Sequence, residues 1–296
     1  VDFGDGNDTL RIFANNTMTN AFDLTDSRFV GLEDVEIDGL SSADPGYDLA
    51  NTAGFTGTIR VLANGALTTA GGLTVGGDLE NAGRVNNDVT FMADASVAVN
   101  TGQITGDVTF ANGDNFYLHG PNATVSGTVF GGSTGTDTAR LFDSEGTLRV
   151  FDTAVLEGFE ALAIFGDDDM QQGWELQNTS TFMGTINVTA GGSLNQAAPL
   201  TLGNDLTNDG RITGDIVTSA NDTIIRSSGV IDGAVTFDAG NDLFDLTGET
   251  TGNVNLGDGD DEFRFGANAT LGSLAVGGLG DDVFELTDTG NSEREF

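Results

Sequence analysis

The chain has 296 residues, 46 of them acidic and 10 basic, all ten Arg, for a formal net charge of −36. Nucleic-acid phosphates and anionic lipid surfaces both need clustered Lys and Arg, so neither is an expected partner. With no Cys and a single His, disulfide frameworks, thiolate zinc, iron–sulfur clusters and multi-His metal cages are excluded, while 38% hydrophobic content and 20 Phe are too much for a solvated acidic coil.

Read from the start, the chain repeats itself. The FGDGND run at 3–8 returns as LGDGDD at 256–261. GLEDVEI at 31–37 faces GFEALAI at 158–164, and Tyr47 falls opposite Trp174. The segment 57–90 matches 184–217 without a gap at an offset of 127, with 17 of 34 positions identical. GQITGDVTFANG at 102–113 faces GVIDGAVTFDAG at 229–240. The expected organisation is one continuous repeat structure over 1–296, built from a long unit of about 127 residues: 3–130, 131–255 and a partial copy at 256–296.

A finer period of about 20 residues runs inside the long one. Gly214, Gly233, Gly252 and Gly272 form one column, and Asp222, Asp242, Asp261 and Asp282 another. Gly106 and Gly127, with Asp94, Asp114 and Asp137, extend the columns into the first long unit. Between them apolar residues alternate, as in Val235-Thr-Phe237, Phe244-Asp-Leu246, Phe263-Arg-Phe265 and Phe284-Glu-Leu286. Alternation over three to five residues, bounded by Gly, Asn and Asp, predicts short half-buried strands. The stretches 26–37 and 153–164 come nearest to helical spacing and still read as strand or loop. Short strands repeated in register predict an all-β fold, a parallel β-helix or β-solenoid with coils of about 20 residues. Inward Val, Ile, Leu and Phe then stack in ladders, and the column glycines are expected to supply positive φ at the corners. No run of 18 apolar residues exists, so no transmembrane helix and no membrane insertion is expected.

The segments GLEDVEIDGLSSADPGYDLANTAGFTGTIRVLANGALT (31–68) and GFEALAIFGDDDMQQGWELQNTSTFMGTINVTAGGSLNQ (158–196) resemble passenger domains of Gram-negative autotransporters. That resemblance implies a right-handed parallel β-helix, exported to the cell surface and serving as an adhesin, biofilm or surface-layer component. The chain begins Val1-Asp2 without a signal peptide and shows no barrel-like run near Phe296, so a processed or excised piece is expected. A second, local resemblance is to the repeats-in-toxin family. GGLGDDVFE (277–285) fits its G-G-x-G-x-D-x-U-x nonapeptide, and FGDGNDTLR (3–11), LGDGDDEFR (256–264) and FDAGNDLFD (237–245) lack its first Gly, the last of them the second as well. In that family such turns bind Ca²⁺ through Asp carboxylates and backbone carbonyls.

Two readings of the acidic column stand at this point. Asp238, Asp242, Asp258, Asp261, Asp281 and Asp282 are the candidate calcium ligands, because stacked carboxylates repel and Ca²⁺ accepts 6–8 oxygens. Alternatively they are turn residues whose carboxylates cap their own backbone amides. Asp167, Asp168 and Asp169 read as a solvated loop, His119 as a surface or turn residue, and Arg84 and Arg211 as covering an Asp-rich face. The Asn-rich strands suit hydrogen-bonded ladders along the coils.

The composition and repeats predict a non-enzymatic structural or adhesive protein, and the resemblance to autotransporter passengers implies a place outside the cell or on the surface of a Gram-negative bacterium. Self-association, or a glycan or protein receptor, is the expected partnership. The alternative is a β-helical polysaccharide lyase or hydrolase. An enzyme would carry one non-repeated patch, and lyases acting on acidic sugars usually need a Lys or Arg base.

Overall fold

The computed structural model describes residues 4–14, 22–24, 31–39, 46–50, 52–69, 71–142, 147–166, 173–219 and 221–287. Within them the chain is an all-β parallel β-solenoid of about 12 turns, with about 20 residues per coil and almost no helix. The exceptions are single 3-10 turns at Thr52–Gly54, Thr153–Val155 and Thr179–Thr181. The two stretches nearest helical spacing hold strands Asp34–Gly39, Leu156–Glu157 and Ala161–Ile164, though 26–30 lie outside the described residues.

The chain divides into two compact units, Val1–Leu141 with Val155–Glu160 and Phe142–Ala154 with Ala161–Phe296. In the first, the long sheet takes seven described strands from Thr9–Ala14 to Thr138–Leu141, flanked by sheets of five, four and two. In the second it takes seven from Ala161–Ile164 to Val283–Thr287, flanked by sheets of seven and five. A full coil carries three strands, as in Leu243–Leu246, Glu249–Thr250 and Val254–Asp258. Among the described residues the strand pairings are parallel, and within each unit the coils stack in register.

In-register stacking makes like side chains into columns. In the second unit one inward column runs Leu162, Ile186, Leu206, Ile225, Phe244, Phe263. All six are buried, and the rings of Phe244 and Phe263 lie flat on each other at 5.2 Å and 8°. The first unit's column runs Val35, Ile59, Leu79, Ala98, Tyr117, Ala139. Small Ala98 and Ala139 flank Tyr117, so a large ring fits a ladder of fixed spacing without overpacking. The next inward column is partly polar. Asn81 Nδ2 donates to Asn100 Oδ1 at 2.9 Å, and Asn100 Nδ2 donates to the Thr124 carbonyl at 3.2 Å. These asparagines also receive the amides of Gly83 and Gly102 at the corner. The expected Asn ladder is thus present, inside the core.

His119 follows Asn100 in that column, 8% exposed, with Nδ1 2.9 Å from the Tyr117 hydroxyl. It is a core residue, which corrects the surface or turn assignment. The Gly120-Pro121 turn begins only after its strand, Phe116–His119, has ended. Burial pushes its pKa down to about 4, so the ring is neutral at pH 7.

The glycine column also needs correcting. Of its four members only Gly214 has positive φ. Gly233 and Gly252 are required for closeness: a Cβ on either would collide with the carbonyl of the glycine one coil before. Gly272 sits one position early, against Thr251. Positive φ belongs to a different column, Gly240, Gly259 and Gly280, two residues before the acidic one. At Gly259 both demands meet, since φ is +149° and a Cβ would strike the Gly240 carbonyl. Gly259→Ala should therefore cost about 2 kcal/mol or more in denaturant unfolding. Gly71→Ala, where a Cβ meets nothing within 4 Å, should leave the midpoint unchanged. Equal effects of the two would refute the close-approach account.

Candidate functional site

The acidic corner precedes the long sheet in each coil. In the second unit the strand register aligns Thr223, Asp242, Asp261 and Asp282, with Asp222, Asn241, Asp260 and Asp281 one residue earlier. Asp222 therefore leaves the column predicted from spacing, and Thr223 takes its place. Asp114 and Asp137 separate in the same way, with Asn115 in register with Asp137.

The inner column is a ladder between coils. Thr223 N–H donates to Asp242 Oδ1 at 2.7 Å, Asp242 N–H to Asp261 Oδ1 at 2.8 Å, and Asp261 N–H to Asp282 Oδ1 at 3.2 Å. Each carboxylate caps the amide of the preceding coil, not its own. The outer column runs the other way. Asn241 N–H donates to Asp222 Oδ1 at 2.8 Å, Asp260 N–H to Asn241 Oδ1 and Asp281 N–H to Asp260 Oδ1, both at 2.9 Å. The first unit repeats the inner ladder: Ser96 to Asn115, Asn115 to Asp137, and Asp137 to Glu160, at 2.9, 2.9 and 2.6 Å.

Asp242 and Asp261 are 2% and 1% exposed. One oxygen of each holds an amide; the other, Oδ2, is buried without a hydrogen-bond partner. Loss of hydration raises the Asp242 pKa to about 6, helped by the charges of Asp261, Asp222 and Asp238 and opposed by the Thr223 amide. Asp261 is raised for the same reason, with Asp282, Asp260 and Asp258 adding to it. The outer Asp222, Asp260 and Asp281 are exposed.

The six candidate calcium ligands are thus spread over several positions. Asp242, Asp261 and Asp282 share the inner ladder and Asp281 the outer one. Asp238 and Asp258 precede the turn one residue out of register with each other, since Asp258 bridges Ala239. Among the described residues, no group of three or more His, Cys, Asp or Glu is placed to hold a metal ion. The Asp167–Asp169 run lies outside the described residues. Arg211 lies 3.6 Å from Asp232, an acid of the next coil.

A second feature, on the outward face of the long sheet, escaped the sequence reading. In the first unit Arg11, Glu36, Arg60 and Glu80 occupy one column, and in the second Arg226, Asp245, Arg264 and Glu285 occupy its counterpart. Arg11 to Glu36 is 2.6 Å, Arg60 to Glu80 is 2.8 Å and Arg264 to Glu285 is 3.4 Å. The signal was available as Arg and acid alternating at the coil period.

The raised Asp242 pKa has a defined sign. The folded state binds its proton more tightly than the unfolded chain does. The destabilisation is therefore full above pH 6 and is relieved as pH falls from about 6 towards 3.8. His119, with its lowered pKa, acts oppositely between about 6.5 and 4. Comparison of Asp242→Asn with the parent isolates the carboxylate, because Asn keeps the oxygen acceptor and removes the charge. We expect the variant to melt about 2–4 °C higher at pH 7.5, with the difference vanishing near pH 4. A difference independent of pH would exclude a charged, buried Asp242. No family model, curated protein or solved structure matches the chain.

Proposed function

We propose that this β-solenoid is a non-enzymatic structural and adhesive protein of a bacterial surface or the extracellular space. The observation carrying the reading is that the ladder acids Asp222, Asp242, Asp260, Asp261 and Asp282 are rungs: each gives an oxygen to an amide of a neighbouring coil, leaving little of this acidity for substrate chemistry. What faces outward is a repeated surface of alternating charge, suited to many weak contacts with a glycan or protein partner. The absence of Lys and Cys and the charge of −36 fit an exported chain that stays dispersed. The composition and repeat style, shared in manner with autotransporter passengers, support a Gram-negative cell surface as its place.

Beads coated with the chain should retain bacterial cells or surface polysaccharide severalfold better than beads coated with an equally acidic unstructured polypeptide. Equal retention would remove the adhesive reading. Release of new reducing ends or unsaturated uronates from a polysaccharide mixture would replace it with an enzyme.

A further inference from the structure

Two neighbouring strands in the middle of the first unit reverse the usual polarity of a coil. In Val97–Asn100 and Phe116–His119 the buried, inward residues are Ala98, Asn100, Tyr117 and His119. Val97, Val99, Phe116 and Leu118 point outward and are half-buried. The register sets Val97 beside Phe116 and Val99 beside Leu118, so the four form one apolar patch on the outer face of the long sheet. The coils on either side are polar at the same outward positions: Asp78 and Glu80 before the patch, Thr138 and Arg140 after it.

The fold itself does not ask for this patch. Strands Ile224–Ser227 and Leu243–Leu246 of the second unit are its equivalents 127 residues on, with the same pairing. They carry Arg226 and Asp245 where the first unit carries Val99 and Leu118. A contiguous apolar patch with a charged rim has the anatomy of a contact surface.

The rim points to the occupant. Its two edges have opposite charge: Asp78 and Glu80 on one side, and on the other Arg140, whose guanidinium lies 4.4 Å above the Phe116 ring. A purely basic or purely acidic partner would suit one edge and be repelled by the other. A second copy, turned half a revolution about an axis that runs along the strands between Val99 and Leu118, suits both. Val99 of one copy then faces Leu118 of the other, Val97 faces Phe116, and Glu80 faces Arg140, each pair occurring twice. Both faces have the same coil spacing, so the rungs stay matched across the patch.

We propose that two copies of this chain pair face to face and antiparallel through this patch. Such a contact is isologous and closes at a dimer. It goes beyond the proposed function, since pairing and retention of cells or polysaccharide are read in separate experiments. The patch covers few coils and each chain carries a charge of −36, so a weak, concentration-dependent dimer is expected.

Sedimentation of the 296-residue chain from about 1 µM to 1 mM, in salt of about 0.15 M, tests this. We expect the mean mass to rise with concentration and level off at two chains. The double variant Val99→Arg with Leu118→Asp copies the rung pair of the second unit, which the fold already accommodates, and should raise the dissociation constant at least tenfold. Glu80→Arg should weaken pairing severalfold, and adding Arg140→Glu should restore it. Because Glu80 also pairs with Arg60 of its own chain at 2.8 Å, that restoration separates the contact between copies from the contact within one. Circular dichroism shows that each variant keeps its strands. A parent chain monomeric throughout, a mass that climbs past two chains, or pairing untouched by the Val99 and Leu118 double variant would overturn the proposal.

Discussion

Every coil hands its backbone amides and carbonyls to the coils on either side, and this is hardest to satisfy at the corners. Along a strand the parallel ladder meets the demand by itself. At a corner the chain turns, the carbonyls point elsewhere, and amides are left to be capped. An amide left buried without an acceptor is costly. In this protein the acceptors are carboxylate and carboxamide oxygens borrowed from the adjacent coil, and much else follows from that loan. It makes Asp and Asn recur at coil spacing, and it draws Asp242 and Asp261 out of water.

The same arrangement explains how so acidic a chain folds with ten cations. Oriented backbone amides act as fixed partial positive charges, so a carboxylate that accepts one is stabilised without an ion pair. Arginine is then available for the flat outward column, where it alternates with acids. Single exposed pairs of that kind contribute about 0.2–1 kcal/mol each. The buried Oδ2 atoms mark where capping by amides falls short: one oxygen is satisfied, the other is not, and the carboxyl pKa rises.

Much of the fold was legible in the sequence, because a solenoid writes its coil length directly into the chain. Alternation gave the strands, and stacked like residues gave the Phe and Asn ladders. The site was legible only in part. Asp222 was aligned with Asp242 by residue type, yet the strand register pairs Asp222 with Asn241 and Thr223 with Asp242. Coil lengths vary from turn to turn, so identity at a spacing of 20 can miss by one residue. In sequence His119 reads as a turn residue because Gly120-Pro121 follows it, whereas the alternation with Tyr117 points both rings inward. The direction of the capping bonds was invisible altogether, since sequence shows which residues are acceptors but not which coil's amide they reach.

The 127-residue repeat acquires a meaning from the columns. Strands Thr58–Val61 and Thr185–Val188 are separated by five other long-sheet strands, so the repeat is six whole coils. Every column depends on phase: a duplicated fragment of any other length would bring an inward residue onto an outward one and leave corner amides without their oxygens. A gene encoding this architecture can therefore lengthen only in quanta of a complete coil. Within that rule, insertion and loss are inexpensive, because each new coil arrives with its own caps and needs only its two neighbours. Such a chain can vary in reach over evolutionary time while its cross-section stays constant.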